Sequence, residues 1–135
     1  MVVTPDIDQA RALCASIDNS DVQLHSAAVG EVNAYLNAAD AAVMLRVPSA
    51  INTGAFPTKF AEYCLAGLPV VMDDNVPDCA VLAKQFGNRL WPEPAHLTER
   101  LDAAFDRTTV MNKARSEVTQ KAAMSKYAAL YGLAV

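Results

Sequence analysis

Pro57-Thr58-Lys59-Phe60-Ala61-Glu62-Tyr63-Cys64-Leu65-Ala66-Gly67-Leu68-Pro69-Val70-Val71 reads as a short helix that stops at a glycine and passes straight into a buried strand. Pro57 suits the first helical turn, where its missing N–H has no intrahelical partner to lose. Phe60 and Cys64, like Ala61 and Leu65, draw an apolar stripe along one face at helical spacing. Gly67 fits the left-handed position just past a helix end, and Pro69 prevents the helix from resuming. Lys59 and Glu62 are the charges in this run, and their spacing puts them on the same side of the helix.

Upstream, the chain repeats the same grammar in the other order. Met1 to Thr4 is a short apolar strand, and Asp6 with Gln9 is placed as a capping box for a helix striped by Ile7, Ala10, Cys14 and Ile17, with Leu13 widening the face. Asn19-Ser20-Asp21 is a turn, and Val22 to His25 alternates like a strand. Gly30 precedes a second helix striped by Val32, Tyr35, Leu36 and Ala39. Ala41-Ala42-Val43-Met44-Leu45 is a continuous apolar run, the pattern of a parallel strand covered on both faces. Arg46 to Phe56 is the longest irregular stretch, rich in loop formers.

Downstream of the opening stretch, Asp73-Asp74-Asn75 is a polar turn. A helix with Val81, Leu82 and Phe86 closes at Gly87-Asn88. Arg89-Leu90-Trp91 is a short last strand, and Leu97, Leu101, Ala104 and Phe105 stripe a further helix. A long helix runs from Val110 to about Leu133. Regular alternation of strand and helix specifies an α/β fold, a three-layer α/β/α Rossmann-like sandwich with a mostly parallel sheet, and residues 1–135 are expected to form a single domain.

The chain has 135 residues, 53% of them hydrophobic and 19% charged, which favours a packed core over disorder. A net charge of −4 offers no electrostatic footprint for nucleic acid. No apolar run approaches the ~20 residues that span a bilayer, and no basic-then-apolar leader opens the sequence. Cys14, Cys64 and Cys79 sit far apart in apolar patterns, so they read as reduced core thiols of a cytoplasmic protein, without close Cys/His spacing for a metal. His25 and His96 have no Ser, Cys or Asp nearby to build a triad.

In open parallel sheets ligands bind outside the carboxyl ends of the strands. The Arg46 to Phe56 loop leaves such an end and feeds a helix N-terminus. Free N–H groups at Thr58, Lys59 and Phe60, the helix dipole and the Lys59 ammonium make that end attractive to a phosphate. Glu62, with its acceptor oxygens, suits the diol of a ribose. A solvent-exposed Lys59–Glu62 ion pair, worth a few tenths of a kcal/mol, is the plainer reading of the same residues. Glycine-rich dinucleotide and triphosphate loops are absent from the sequence.

The opening stretch resembles the signature of retaining glycosyltransferases of the GT-B fold, the large "group 1" family, which typically read Pro-x-Lys-x-x-Glu-Tyr-x-x-x-Gly-x-Pro-Val-Val at this place. Val22 to Val29, Glu31 to Asp40, Met44-Leu45-Arg46 and the closing Lys126 to Tyr131 are similar to neighbouring segments of that family. The resemblance implies the donor-binding half of an enzyme that transfers a sugar, with retention, from a nucleotide-diphospho-sugar to an acceptor. By resemblance, Glu62 holds the nucleotide ribose, backbone amides around Phe56 to Thr58 face the diphosphate and sugar, and main chain near Val29 meets the base. The expected chemistry uses no metal or cofactor and assigns no catalytic residue within this chain.

Two departures qualify the resemblance. Many members carry a second glutamate eight residues before the conserved one, and here that position is Gly54. The family's domain opens with another strand and helix, including an Arg and a Lys that grip the diphosphate, and is preceded by an acceptor-binding domain. The chain is therefore expected to be a C-terminal piece of a longer enzyme, inactive by itself, whose unpaired strand edges invite a second copy. A non-catalytic Rossmann-like binding or assembly module is the competing expectation. A receiver-type domain, with its acidic pair after the first strand, fits less well, because Asp73-Asp74 come late.

Overall fold

A computed structural model of the chain describes residues 1–17, 21–87 and 106–132. Its contacts gather into two units, Met1–Ala38 and Ala39–Val135. In the first unit, β1 (Val2–Val3) leads through α1 (Ile7–Ser16) to β2 (Leu24–His25), and a 3-10 turn at Val29–Glu31 opens α2 (Val32–Ala38). β1 and β2 are parallel, with Val2 opposite Leu24 and Val3 opposite His25. Val2 N–H donates to Gln23 O at 2.8 Å and Thr4 N–H to His25 O at 2.9 Å. Parallel neighbours need a crossover, and α1 supplies it.

The first helix starts differently from the sequence expectation. Asp6 makes no side-chain cap; its own N–H donates to Thr4 Oγ1 at 3.1 Å instead, so the capping box with Gln9 does not form. The carboxylate that does act in the first turn is Asp8, which meets Arg11 at 3.0 Å. Leu13 is 64% exposed and does not widen a buried stripe. α2 is anchored by Glu31, whose Oε2 accepts the Ala28 N–H at 2.9 Å, and Tyr35 tilts against His25 with ring centroids 5.3 Å apart.

The second unit holds β3 (Ala42–Met44), α3 (Ala50–Thr53), α4 (Thr58–Leu65), β4 (Val70–Met72), α5 (Pro77–Gln85), α6 (Arg107–Glu117) and α7 (Gln120–Tyr131). β3 and β4 are parallel, with Ala42, Val43 and Met44 opposite Val70, Val71 and Met72. Met44, Val70 and Met72 face a core shared with Phe60 and Cys64 of α4, Cys79 and Ala83 of α5, and Val110 and Ala114 of α6. Phe60 is fully buried and stacks on Phe86, centroids 6.4 Å apart. Burial of a side chain of that size contributes about 1.5–3 kcal/mol.

Three expectations for this half are corrected. The apolar run of β3 is covered on one face only, because Val43 is 59% exposed while Ala42 and Met44 are buried. The Arg46 to Phe56 loop contains α3, capped by Ser49 Oγ, which accepts the Asn52 N–H at 3.2 Å. The long C-terminal helix is two helices. Thr119 adopts extended backbone (φ −84°, ψ 154°), and its hydroxyl accepts the Ala122 N–H at 3.1 Å, starting α7 afresh. A threonine that bonds backbone locally competes with continuation of the helix. Glu117 and Lys126 close the hairpin at 2.6 Å.

Among the described residues the strands form two parallel pairs, β1–β2 and β3–β4. The expected strand at Arg89-Leu90-Trp91 and the helix striped by Leu97, Leu101, Ala104 and Phe105 lie outside the described residues. Among the described residues no helix is long and apolar enough to cross a membrane.

Candidate functional site at the start of the fourth helix

Pro57 is the N-cap of α4, at φ −64° and ψ 125°, one position earlier than the sequence suggests, and it offers no side-chain acceptor to the first turn. Phe60 N–H is not free as expected: it donates to Pro57 O at 3.1 Å, tightening the first turn. Thr58 and Lys59 N–H have no acceptor among the described residues, so two amides and the positive end of the helix dipole remain for an anion. Thr58, Lys59 and Glu62 are exposed.

The far end of α4 explains why these side chains are held where they are. Gly67 takes φ 69°, its N–H donates to Cys64 O at 3.0 Å, and Leu68 N–H donates to Tyr63 O at 2.9 Å. These paired bonds form a Schellman motif, and the buried Leu68 seals it. Arg107, at the start of α6, donates from Nε to Gly67 O at 3.2 Å and from Nη2 to Ala39 O at 3.3 Å. One guanidinium thus ties the exit of α4 to the entry of β3. The sequence offers no local signal for a contact between residues so far apart in the chain.

The carboxyl ends of β3 and β4 are clasped together. Asp73 Oδ2 accepts the Arg46 N–H at 2.7 Å, Asp73 Oδ1 accepts the Asn75 N–H at 3.1 Å, and Asn75 Nδ2 donates to Arg46 O at 2.7 Å. The loop from Arg46 therefore leaves β3 in a defined direction, and its other end is pinned by Phe56, edge-on to Phe60 with centroids 6.0 Å apart. Asp73 and Asn75 were legible only as a polar turn after a strand, and Arg46 only as the start of an irregular stretch. Their pairing follows from the β3–β4 register.

The plain reading of Lys59 and Glu62 as an ion pair is not what forms, because among the described residues neither meets an opposite charge. Tyr63 beside them is half-buried. Its phenol is pushed up, first by loss of solvent and then by the Glu62 carboxylate, with the Arg46 guanidinium opposing. Burial also raises the thiols of Cys64, to about 12, and Cys79, to about 11. Both are inert, protonated core groups at neutral pH. Among the described residues no cluster of His, Cys, Asp and Glu could hold a metal ion.

Phe56, Thr58, Lys59 and Glu62 thus fall within seven positions of the second unit, whereas Val29 belongs to the first unit, in its 3-10 turn and 93% exposed. Gly54, at the position of the absent second glutamate, has open space where a Cβ would stand. An open groove lined by Glu117, Ala123, Lys126, Tyr127 and Leu130 contains none of these residues. The chemistry available at α4 is anion capture by two amides and an ammonium, with a carboxylate one turn further on to accept hydroxyl hydrogens. Comparison with protein-family models, curated proteins and solved structures gives no match.

Proposed function

We propose that this chain is the donor-binding half of a retaining glycosyltransferase, a three-layer Rossmann-like half of a GT-B fold acting in the cytoplasm on a nucleotide-diphospho-sugar. The observation that carries the reading is Glu62: exposed, free of an ion pair among the described residues, and one turn from unbonded amides on a helix fed from the carboxyl end of a parallel strand. Its carboxylate accepts from the ribose hydroxyls. Thr58 and Lys59 amides and the Lys59 ammonium receive the diphosphate, with the backbone from Phe56 setting the loop against it. Developing negative charge on the departing phosphate is stabilised by the same fixed donors. The acceptor is held by the partner domain of the same protein, so the chain alone binds donor without transferring sugar.

Calorimetric titration of UDP, GDP and ADP tests the reading. One nucleotide binds, and Glu62→Ala weakens it by roughly 1–3 kcal/mol. Indifference of all three to the substitution removes Glu62 from the site. A second reading, a non-catalytic assembly module, is favoured by one observation: β3 has an unpaired edge among the described residues.

A further inference from the structure

Residues 47–55 leave the carboxyl end of β3 and return to the start of α4, the two borders of the anion site. Both feet of this arch are fixed. Arg46 is held through its N–H by Asp73 and through its C=O by Asn75, each at 2.7 Å, and the Phe56 ring packs edge-on against the buried Phe60. Between the feet the segment holds only to itself. Asn52 is its knot: Nδ2 donates to Val47 O at 2.6 Å, the N–H donates to Ser49 Oγ at 3.2 Å, and the C=O accepts the Ala55 N–H at 3.4 Å. Thr53 donates both its N–H and its hydroxyl to Ser49 O, at 3.2 Å each. Among the described residues no hydrogen bond joins residues 47–55 to the rest of the second unit, and none of them is buried.

We propose that residues 47–55 are a lid, a self-bonded unit that swings on its two fixed feet and closes over a diphosphate bound at the start of α4, given the donor-site reading on which this rests. A segment bonded to itself and not to its surroundings moves as one body, because displacing it breaks no hydrogen bond. The same internal bonds keep the ordering cost of closure small, since the Asn52 knot fixes the backbone before ligand arrives. The feet stand on the two elements that frame the ligand. An inward swing therefore carries Ile51, at the midpoint of the arch and 81% exposed, across the first turn of α4. Closure there takes water away from the diphosphate and strengthens its attraction to the Lys59 ammonium and the Thr58 and Lys59 amides.

Stopped-flow fluorescence on the whole chain tests this. A polarity-sensitive thiol dye is attached at Ala50→Cys, an exposed position of α3, and Cys14→Ser removes the one cysteine that is not buried. The ligands are UDP, GDP, ADP and inorganic pyrophosphate. Binding occurs in two phases, a bimolecular step and then a closing step whose rate levels off with ligand concentration. Asn52→Ala unties the knot without touching α4; it abolishes the second phase and speeds dissociation about tenfold or more, with association unchanged. Ile51→Ser keeps every hydrogen bond of the segment and also speeds dissociation. Single-phase binding, or dissociation indifferent to both substitutions, overturns the lid; the donor reading still stands if Glu62→Ala weakens the nucleotide. Pyrophosphate that binds in two phases where no nucleotide binds keeps the lid and removes the donor reading. A chain that binds none of the four ligands overturns both.

Discussion

Gly67 shows how much a single residue without a side chain can decide. A Cβ added there stands 2.8 Å from Arg107 O, on a backbone already at φ 69°. Gly67→Ala therefore combines left-handed strain with displacement of α6, and is expected to lower unfolding free energy by about 1–3 kcal/mol in urea titrations. Gly54→Ala is the control: the site is open and φ is −102°, so stability stays within about 1 kcal/mol of the parent. The helix-stop role of Gly67 was legible from its place before Leu68-Pro69. Its second role was not, because Arg107 lies forty residues away and no local pattern announces it. The thiols were read as reduced core groups, which holds for the burial of Cys64 and Cys79 but not for the partly exposed Cys14, and that difference adds a prediction. Cys64 and Cys79, raised to about 12 and 11, stay protonated well above neutral pH. A maleimide titration at pH 8 labels Cys14 alone in the folded chain and all three cysteines after denaturation. Labelling of Cys64 in the folded state contradicts the core described above.

At the scale of elements, helix ends separate what sequence shows from what it hides. The α4–β4 passage was legible because its stop signals, Gly67 and Pro69, act locally. The break between α6 and α7 was hidden, since apolar spacing continues across it and only the Thr119 cap reveals the restart. Thr119→Ala is expected to cost about 0.5–2 kcal/mol, read by thermal or urea unfolding. The start of α6 carries a pH signature. Asp106 accepts the Thr109 hydroxyl and also the Thr109 N–H, the latter at 3.0 Å, and these bonds hold its carboxyl below the usual range, the hydroxyl bond foremost. A carboxylate with a depressed folded pKa stabilises the fold above its unfolded value, about 3.9, and loses that contribution as pH falls through the folded value. The melting-temperature difference between the parent and Asp106→Asn accordingly shrinks below about pH 4. A difference that is constant with pH assigns the cap no charge-dependent part.

Over the whole molecule, strand–helix alternation made the α/β class and the parallel pairing legible, because short apolar runs separated by helical stripes leave few other solutions. The reach of that pattern ends where coverage begins. Ala41–Leu45 looks like a strand buried on both faces, and periodicity cannot tell that Val43 stays exposed. The candidate site was legible in its residues but not in its wiring: the Phe60 amide is spent on Pro57, and the Asp73–Asn75 clasp directs the loop that leads to Glu62. The functional account rests on the Glu62 carboxylate receiving ribose hydroxyls, and deoxy analogues isolate that contact. The decisive measurement compares the nucleotide that binds best with its 2′,3′-dideoxy form, in the parent chain and in Glu62→Ala, by titration calorimetry. The account predicts that the parent prefers the ribose form by roughly 1–3 kcal/mol and that Glu62→Ala loses the preference. An undiminished preference in Glu62→Ala, or no nucleotide binding by the parent, contradicts it.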